Sequence, residues 1–258
     1  MFEAVLPQGI ILKKVIEAIR EIVTEVNFEI TSDGVSVQAM DASHVALVVL
    51  HLDAEKFEEY RCDRPQSIGV AINNFAKFLK LAGNEDEITL RAEDEANVLT
   101  LVFRSKHEDK LCEFNLSLMT LDSEHLGIPD TEYTAEVAMS SSEFAKICRE
   151  LGQITDTLNI MVSKEWMKLA VAGDVGTGAV TLRANDSDKA EERVSIRAVD
   201  VIGMAFALRY LNLFNRAASL SEEVSLSLST DIPVCLRFTF DLGTIEYFLA
   251  PKISEPTP

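Results

Sequence analysis

Four short helical segments carrying basic side chains recur at nearly constant spacing, and this repeat limits the possible folds more than any other feature of the chain. They begin near Gln8, Asn73, Ser141 and Phe206, with steps of 65, 68 and 65 residues between them. The second and third share a tripeptide, Phe75-Ala76-Lys77 and Phe144-Ala145-Lys146. A period this long marks a duplicated supersecondary unit, and four copies predict two similar domains. The first segment is apolar at helical spacing, at Ile11, Val15, Ile19 and Ile22.

Strand patterns fill the intervals. Asp33-Gly34 is a turn signal leading into the alternating Val35–Ala39, and Val45 to Leu52 is a longer β-branched run. Ile88–Arg91 and Val98–Phe103, separated by the polar stretch Ala92 to Asn97, read as a hairpin. The second half offers Leu158–Val162, Met167–Val171, Ala179–Leu182, Val194–Ile196, Val224–Leu228 and Val234–Phe240. Helices on one face of antiparallel sheets make an α+β fold. The expected division is a domain over 1–117, a connecting loop over 118–134 and a second domain over 135–258. That loop has no sustained period and contains Gly and Pro, yet Leu121, Leu126, Ile128 and Tyr133 suit a linker packed on the body. Leu126 and Ile128 are also candidates for one wall of a partner groove.

Charge turns this architecture into a functional clue. Residues 8–22, 73–82, 141–152 and 206–218 hold nine Lys/Arg against four Asp/Glu, a net of +5 in a chain of net charge −18. Everything else therefore carries −23. Lys77/Lys80 and Lys146/Arg149 sit at i, i+3, on one side of a helix. One such pair is ordinarily just the solvated face of an amphipathic helix. Four helices lining one surface would make that surface cationic and attract a polyanion there alone.

Other chemistries fit less well. Gly173-Asp174-Val175-Gly176-Thr177-Gly178 leads into a strand-like run, whereas a dinucleotide fingerprint needs a helix there. The acids at 85–87 and 186–192 lie in polar turns, and His44, His51, His107 and His125 lack metal-ligand spacing. Cys62, Cys112, Cys148 and Cys235 are scattered, without CxxC, which favours reduced thiols. There is no GxSxG and no nucleophilic cysteine motif. No cofactor is expected, and nothing argues for an enzyme. No apolar run approaches a membrane span, and the start of the chain lacks signal-peptide character, so an intracellular protein is expected.

The residues also match a known family. The chain resembles the eukaryotic DNA sliding clamps over essentially its whole length, from Met1-Phe2-Glu3-Ala4 to Tyr247-Phe248-Leu249-Ala250-Pro251-Lys252-Ile253. The matching motifs include residues 34–45, Tyr60-Arg61-Cys62-Asp63-Arg64, Leu81-Ala82-Gly83-Asn84-Glu85-Asp86, Leu126-Gly127-Ile128-Pro129 and residues 206–212. The resemblance implies a non-enzymatic, nuclear processivity factor: a head-to-tail homotrimer, with sheets outside and helices inside, enclosing double-stranded DNA without reading its sequence. DNA-facing positions by resemblance are Lys13, Lys14, Arg20, Lys77, Lys80, Lys146, Arg149, Arg209 and Arg216. A front-face pocket for PIP-box peptides corresponds to Met40, His44, Val45, Leu47, Leu126, Ile128, Pro129, Pro233, Phe248, Ala250 and Pro251. Its implied partners are DNA polymerase delta, the clamp loader replication factor C, DNA ligase and flap endonuclease. The subunit interface corresponds to strand edges near Cys112–Leu116 and Val175–Thr181, with Lys77, Leu81, Phe114, Leu116, Leu151, Ile154 and Gly178. Lys164 corresponds to a position ubiquitinated during damage tolerance.

Some positions depart from the family pattern. Gly127 stands where some fungal members have a modifiable lysine, and Phe248 replaces a more usual tyrosine, removing one hydroxyl from the pocket. Trp166, the only tryptophan, is expected to be partly buried in a hairpin. A subunit of a related heterotrimeric checkpoint clamp is the alternative within the same fold, and a catalytic DNA-processing protein using the acidic clusters is the alternative outside it.

Overall fold

The structure, a computed structural model, describes residues 1–94, 97–107, 109–122 and 132–252. The chain forms two units, one of Met1–Ala42, Val48–Gly127 and Phe240–Ile245, the other of Ser43–Leu47, Ile128–Thr239 and Glu246–Pro258.

The same eleven elements run twice along the chain. The first series is β1 (Phe2–Leu6), α1 (Gly9–Ile19), β2 (Glu25–Thr31), β3 (Gly34–Met40), β4 (Ala46–Asp53), β5 (Glu59–Cys62), β6 (Gln66–Ala71), α2 (Ile72–Leu79), β7 (Glu87–Ala92), β8 (Val98–Arg104) and β9 (Leu111–Ser117). The second is β10 (Ala135–Ser140), α3 (Ser141–Leu151), β11 (Thr157–Val162), β12 (Trp166–Gly173), β13 (Gly176–Arg183), β14 (Val194–Ala198), β15 (Ile202–Ala207), α4 (Leu208–Phe214), β16 (Glu223–Leu228), β17 (Val234–Phe240) and β18 (Gly243–Leu249). Even the short 3-10 turns at Ala54–Lys56 and Ala190–Glu192 fall at equivalent places.

Strand order repeats as well. In the first unit β5-β1-β7-β8-β9 form one antiparallel sheet. In the second, β14-β10-β16-β17 follow the same order. The order β4-β3-β2-β6 in the first series recurs as β13-β12-β11-β15 in the second. Alternation decides which face is buried: in β2 Val26, Phe28 and Ile30 point inward while Asn27, Glu29 and Thr31 stay partly exposed.

Each unit has its own core. In the first, Phe2, Leu90 and Leu99 of one sheet meet Phe28, Ile30 and Ile68 of the other, with Leu12 and Phe75 of the helices closing the same apolar interior. Phe28 and Phe75 pack edge-on, ring centroids 6.0 Å apart. In the second unit Phe214 stacks on Tyr247 at 4.6 Å, and Phe238 meets Tyr247 edge-on at 6.0 Å. Side chains this size contribute about 1.5–3 kcal/mol each when fully buried.

The helices of a unit lock each other in place. A helix N-terminus leaves backbone N–H groups without partners inside the helix. Gly9 N–H, at the start of α1, donates to Asp86 O at 2.8 Å, in the loop after α2. Ile72 N–H, at the start of α2, donates to Thr24 O at 2.9 Å, after α1. The second unit repeats the device: Ser141 N–H donates to Glu222 O at 2.9 Å and Leu208 N–H to Asp156 O at 2.8 Å. Among the four described α-helices, α3 alone adds a side-chain cap, Ser140 Oγ accepting from Glu143 N–H.

The structure corrects the sequence reading at the fourth helix. Phe206 and Ala207 finish β15, α4 begins at Leu208, and the chain tightens into a 3-10 turn over Asn215–Ser219 that carries Arg216. The runs around 35–39, 88–91, 98–103, 158–162 and 234–240 are strands, and Gly173 pairs with Gly176 across a hairpin turn.

Candidate functional site

In both units the basic residues occupy the helix faces opposite the core. On α2, Ile72, Phe75, Ala76 and Leu79 are buried, which leaves Lys77 and Lys80 exposed. On α3, Phe144, Ile147, Cys148 and Leu151 are buried, which leaves Lys146 and Arg149 exposed. Arg209 and Arg216 are exposed around the buried Leu208, Leu211, Phe214 and Ala217. Within the first unit α1 packs against α2, and within the second α3 packs against α4 and its 3-10 extension.

The nine basic candidates differ in how they are held. Lys13 is half-buried, its ammonium donating to Ala82 O and to Asn84 Oδ1, so it also secures the α2–β7 loop. Arg20 is paired with Glu17 at 2.9 Å and Glu21 at 3.4 Å. Lys146 is 3.9 Å from Glu143, a loose exposed pair worth little. Arg209 lies over the Tyr210 ring, 4.7 Å from its centroid. Lys77, Lys80 and Arg149 enter no ion pair among the described residues.

The pocket candidates are brought together in part. Within the second unit, Ala250 N–H donates to Val45 O at 3.1 Å, which sets His44, Val45 and Leu47 beside the end of β18, where Phe248, Ala250 and Pro251 lie. His44 is exposed with φ 56°, a left-handed conformation uncommon for a residue with a side chain. Pro233 is exposed at the start of β17, and Met40 closes β3 in the first unit. Leu126, Ile128 and Pro129 lie outside the described residues. The flanks of that segment are anchored. Met119 N–H donates to Gly69 O at 2.9 Å, and Tyr133 is half-buried, its phenol pushed up to about 12 by burial.

The candidate edges are real edges of their sheets. Among the described residues β9 borders only β8, and β13 only β12. Phe114 on β9 packs on Phe78 and Phe103, with centroids 5.9 and 5.5 Å away. Leu116 points inward and is buried, so only its backbone is offered at the edge. Leu81 is 54% exposed. Gly178, Ile154 and Leu151 come together: a Cβ on Gly178 would lie 3.2 Å from Ile154 Cδ1 and 3.7 Å from Leu151 Cδ2. Lys164 is exposed in the β11–β12 turn, where Ser163 N–H donates to Trp166 O at 2.8 Å, and Trp166 is half-buried.

One link has no signal in the sequence. Ser43 Oγ and the Tyr210 hydroxyl are hydrogen-bonded at 3.1 Å, across 167 residues of chain. Among the described residues no cluster of His, Cys, Asp and Glu could hold a metal, and no helix is long and apolar enough to cross a membrane. His51 pairs with Asp53 at 3.1 Å.

Two family models match the chain in order. Residues 1–125 match the N-terminal domain of proliferating cell nuclear antigen, and residues 127–252 match its C-terminal domain. With both domains present, antiparallel sheets backed by helices and a basic helix face in each unit, the chain belongs to the proliferating cell nuclear antigen family of DNA sliding clamps.

Proposed function

We propose that three copies of this chain close head-to-tail into a ring that encloses duplex DNA and tethers replication and repair proteins to it. The observation that carries this reading is the repeat itself. β18 borders β4, flanked by the bonds Ala250 N–H to Val45 O within the second unit and Asp53 N–H to Leu242 O within the first. The repeat equivalents of β18 and β4 are β9 and β13, and both are open edges. An open edge favours addition of another strand. Pairing β9 of one copy with β13 of the next is a heterologous contact, which makes a ring when its rotation closes.

In such a ring the basic helix faces line the hole. Lys and Arg meeting phosphates bind without reading bases, and the binding weakens with salt. Enclosure rather than tight contact then retains the ring, so the weak contacts permit sliding. The surface at His44, Val45, Phe248 and Ala250 receives PIP-box peptides of DNA polymerase delta, replication factor C, DNA ligase and flap endonuclease, and the ring works in the nucleus. Lys164, exposed in its turn, is the modifiable lysine.

The test is the solution mass of the purified chain. Three times the 28.6 kDa of one chain supports the homotrimer. A monomer that assembles only with two different subunits would instead support a heterotrimeric checkpoint clamp.

A further inference from the structure

We infer that the Tyr210 hydroxyl is a strut joining the DNA-facing Arg209 to the pocket loop at His44, so that DNA held in the ring alters peptide affinity at the pocket; the inference rests on the clamp reading above. Tyr210 is 6% exposed, its ring packed 6.3 Å from Phe214. Arg209 reaches it from the solvent side, with Cζ 4.7 Å from the ring centroid and Nη2 donating to the phenol oxygen at 3.4 Å. Ser43 Oγ lies 3.1 Å from that oxygen, and a guanidinium donating into it favours the phenol as the donor to Ser43. Three groups thus form a chain from a cation to a loop, and a charged donor at one end strengthens the next bond in line.

The loop needs such support. Ala42, Ser43 and His44 are exposed, and His44 holds the left-handed φ of 56°. Its neighbours on either side are fixed, Ser43 by Tyr210 and Val45 by Ala250 N–H at 3.1 Å. When a phosphate takes the Arg209 guanidinium, the phenol loses its charged donor and its hold on Ser43 weakens. Peptide affinity should then fall about two- to tenfold, the worth of one ordinary hydrogen bond. By reciprocity the peptide should weaken DNA contact by the same factor.

The experiment uses the assembled full-length protein, a PIP-box peptide and end-blocked duplex DNA. Calorimetry measures peptide affinity with and without DNA, and hydrogen exchange follows the backbone amides of residues 42–45. Tyr210→Phe keeps the ring and removes the hydroxyl. It should speed exchange at 42–45, lower peptide affinity about two- to tenfold and abolish the DNA dependence. Ser43→Ala should reproduce these effects, Ser43→Thr should restore wild-type behaviour, and Tyr210→Phe with Ser43→Ala should be no worse than either alone. A strut of purely structural importance would lower the melting temperature and leave the DNA dependence intact, which overturns the inference. So does wild-type exchange at 42–45 in Tyr210→Phe. Should the wild-type ring bind no peptide, the pocket reading fails separately, and faster exchange on DNA or in Tyr210→Phe still decides for the strut.

Discussion

Met119 and Gly69 touch backbone to backbone. The Met119 N–H donates to the Gly69 carbonyl at 2.9 Å, and a Cβ on Gly69 would lie 2.2 Å from the Met119 carbonyl oxygen. The first residues after β9 therefore lie flat on β6 because position 69 has no side chain. The obstacle is backbone, which a rotamer change cannot clear. Gly69→Ala should cost about 1–3 kcal/mol, as overpacking usually does, and lower the melting temperature. An unchanged melting curve would mean that residues 118–121 are not held on β6.

The proposed subunit pairing implies a register. β13 has the length of β4, and β9 that of β18. Carrying the register of Val45 opposite Ala250 and Asp53 opposite Leu242 onto these equivalents sets Thr181 opposite Cys112 of the next copy. Thr181→Cys treated with a short bis-maleimide should therefore yield covalent trimers in denaturing gels, and Cys112→Ser should abolish them. Dimers and trimers that persist without Cys112 would sink this register.

Gly178 should tolerate little at that edge. A Cβ there already lies 3.2 Å from Ile154 Cδ1, and a serine adds a further atom where a neighbouring backbone must approach. Gly178→Ser should shift the protein toward monomer at nanomolar concentration in light scattering. A fully trimeric variant would remove Gly178 from the interface.

The repeat and the strands with strong alternation were legible in the sequence, and the reasons for the misses are local. Each unit has strands that run straight into helices without a loop, as at Ala71/Ile72, Ser140/Ser141 and Ala207/Leu208. Ser140 caps the boundary at Ser141, but no turn or cap residue marks Ala207/Leu208, so Phe206 reads as helix although it lies in a strand. β5, Glu59–Cys62, is short and half-exposed at an edge, so it lacks an apolar pattern. The basic helix faces follow from i, i+3 spacing, as at Lys77/Lys80, while Phe75 and Leu79, at i, i+4, are buried on the other side. The Ser43–Tyr210 bond depends on tertiary proximity across 167 residues, which no local pattern encodes.

Thiol chemistry should separate the four cysteines. Burial pushes the Cys148 and Cys235 thiols up from 9.0 to about 12, whereas Cys62 and Cys112 are only half-buried. A raised native pKa stabilises the fold below pH 9.0 and withdraws that stability as pH rises toward 12. At pH 8, iodoacetamide followed by mass spectrometry should label Cys62 and Cys112 first and leave Cys148 and Cys235 until the protein unfolds. Denaturant midpoints should decline between pH 9 and 12. Early labelling of Cys148 would contradict its burial within α3.

Sliding on DNA should depend on the exposed cations. Changing Lys77, Lys80 and Arg149 together to Ala should leave the fold intact, since exposed substitutions usually stay within about 0.5 kcal/mol. On end-blocked duplex the salt slope of binding should shrink by about 0.9 for each phosphate that the variant no longer neutralises. An unchanged slope would mean that these side chains do not face DNA.

The partner pocket offers the sharpest separation of two roles. A few buried anchors commonly dominate peptide binding. If Leu126 and Ile128 form one wall of the groove beside Val45 and Ala250, Leu126→Ala with Ile128→Ala should weaken PIP-box peptides at least about thirtyfold, the roughly 2 kcal/mol or more of an anchor site. The trimer mass and the melting temperature should stay close to wild type. If instead these residues only secure the connecting segment, as Met119 does on Gly69, the melting temperature should fall while affinity holds. Calorimetric titration and a melting curve on the same variant distinguish the cases, and undiminished affinity with a lowered melting temperature removes Leu126 and Ile128 from the pocket.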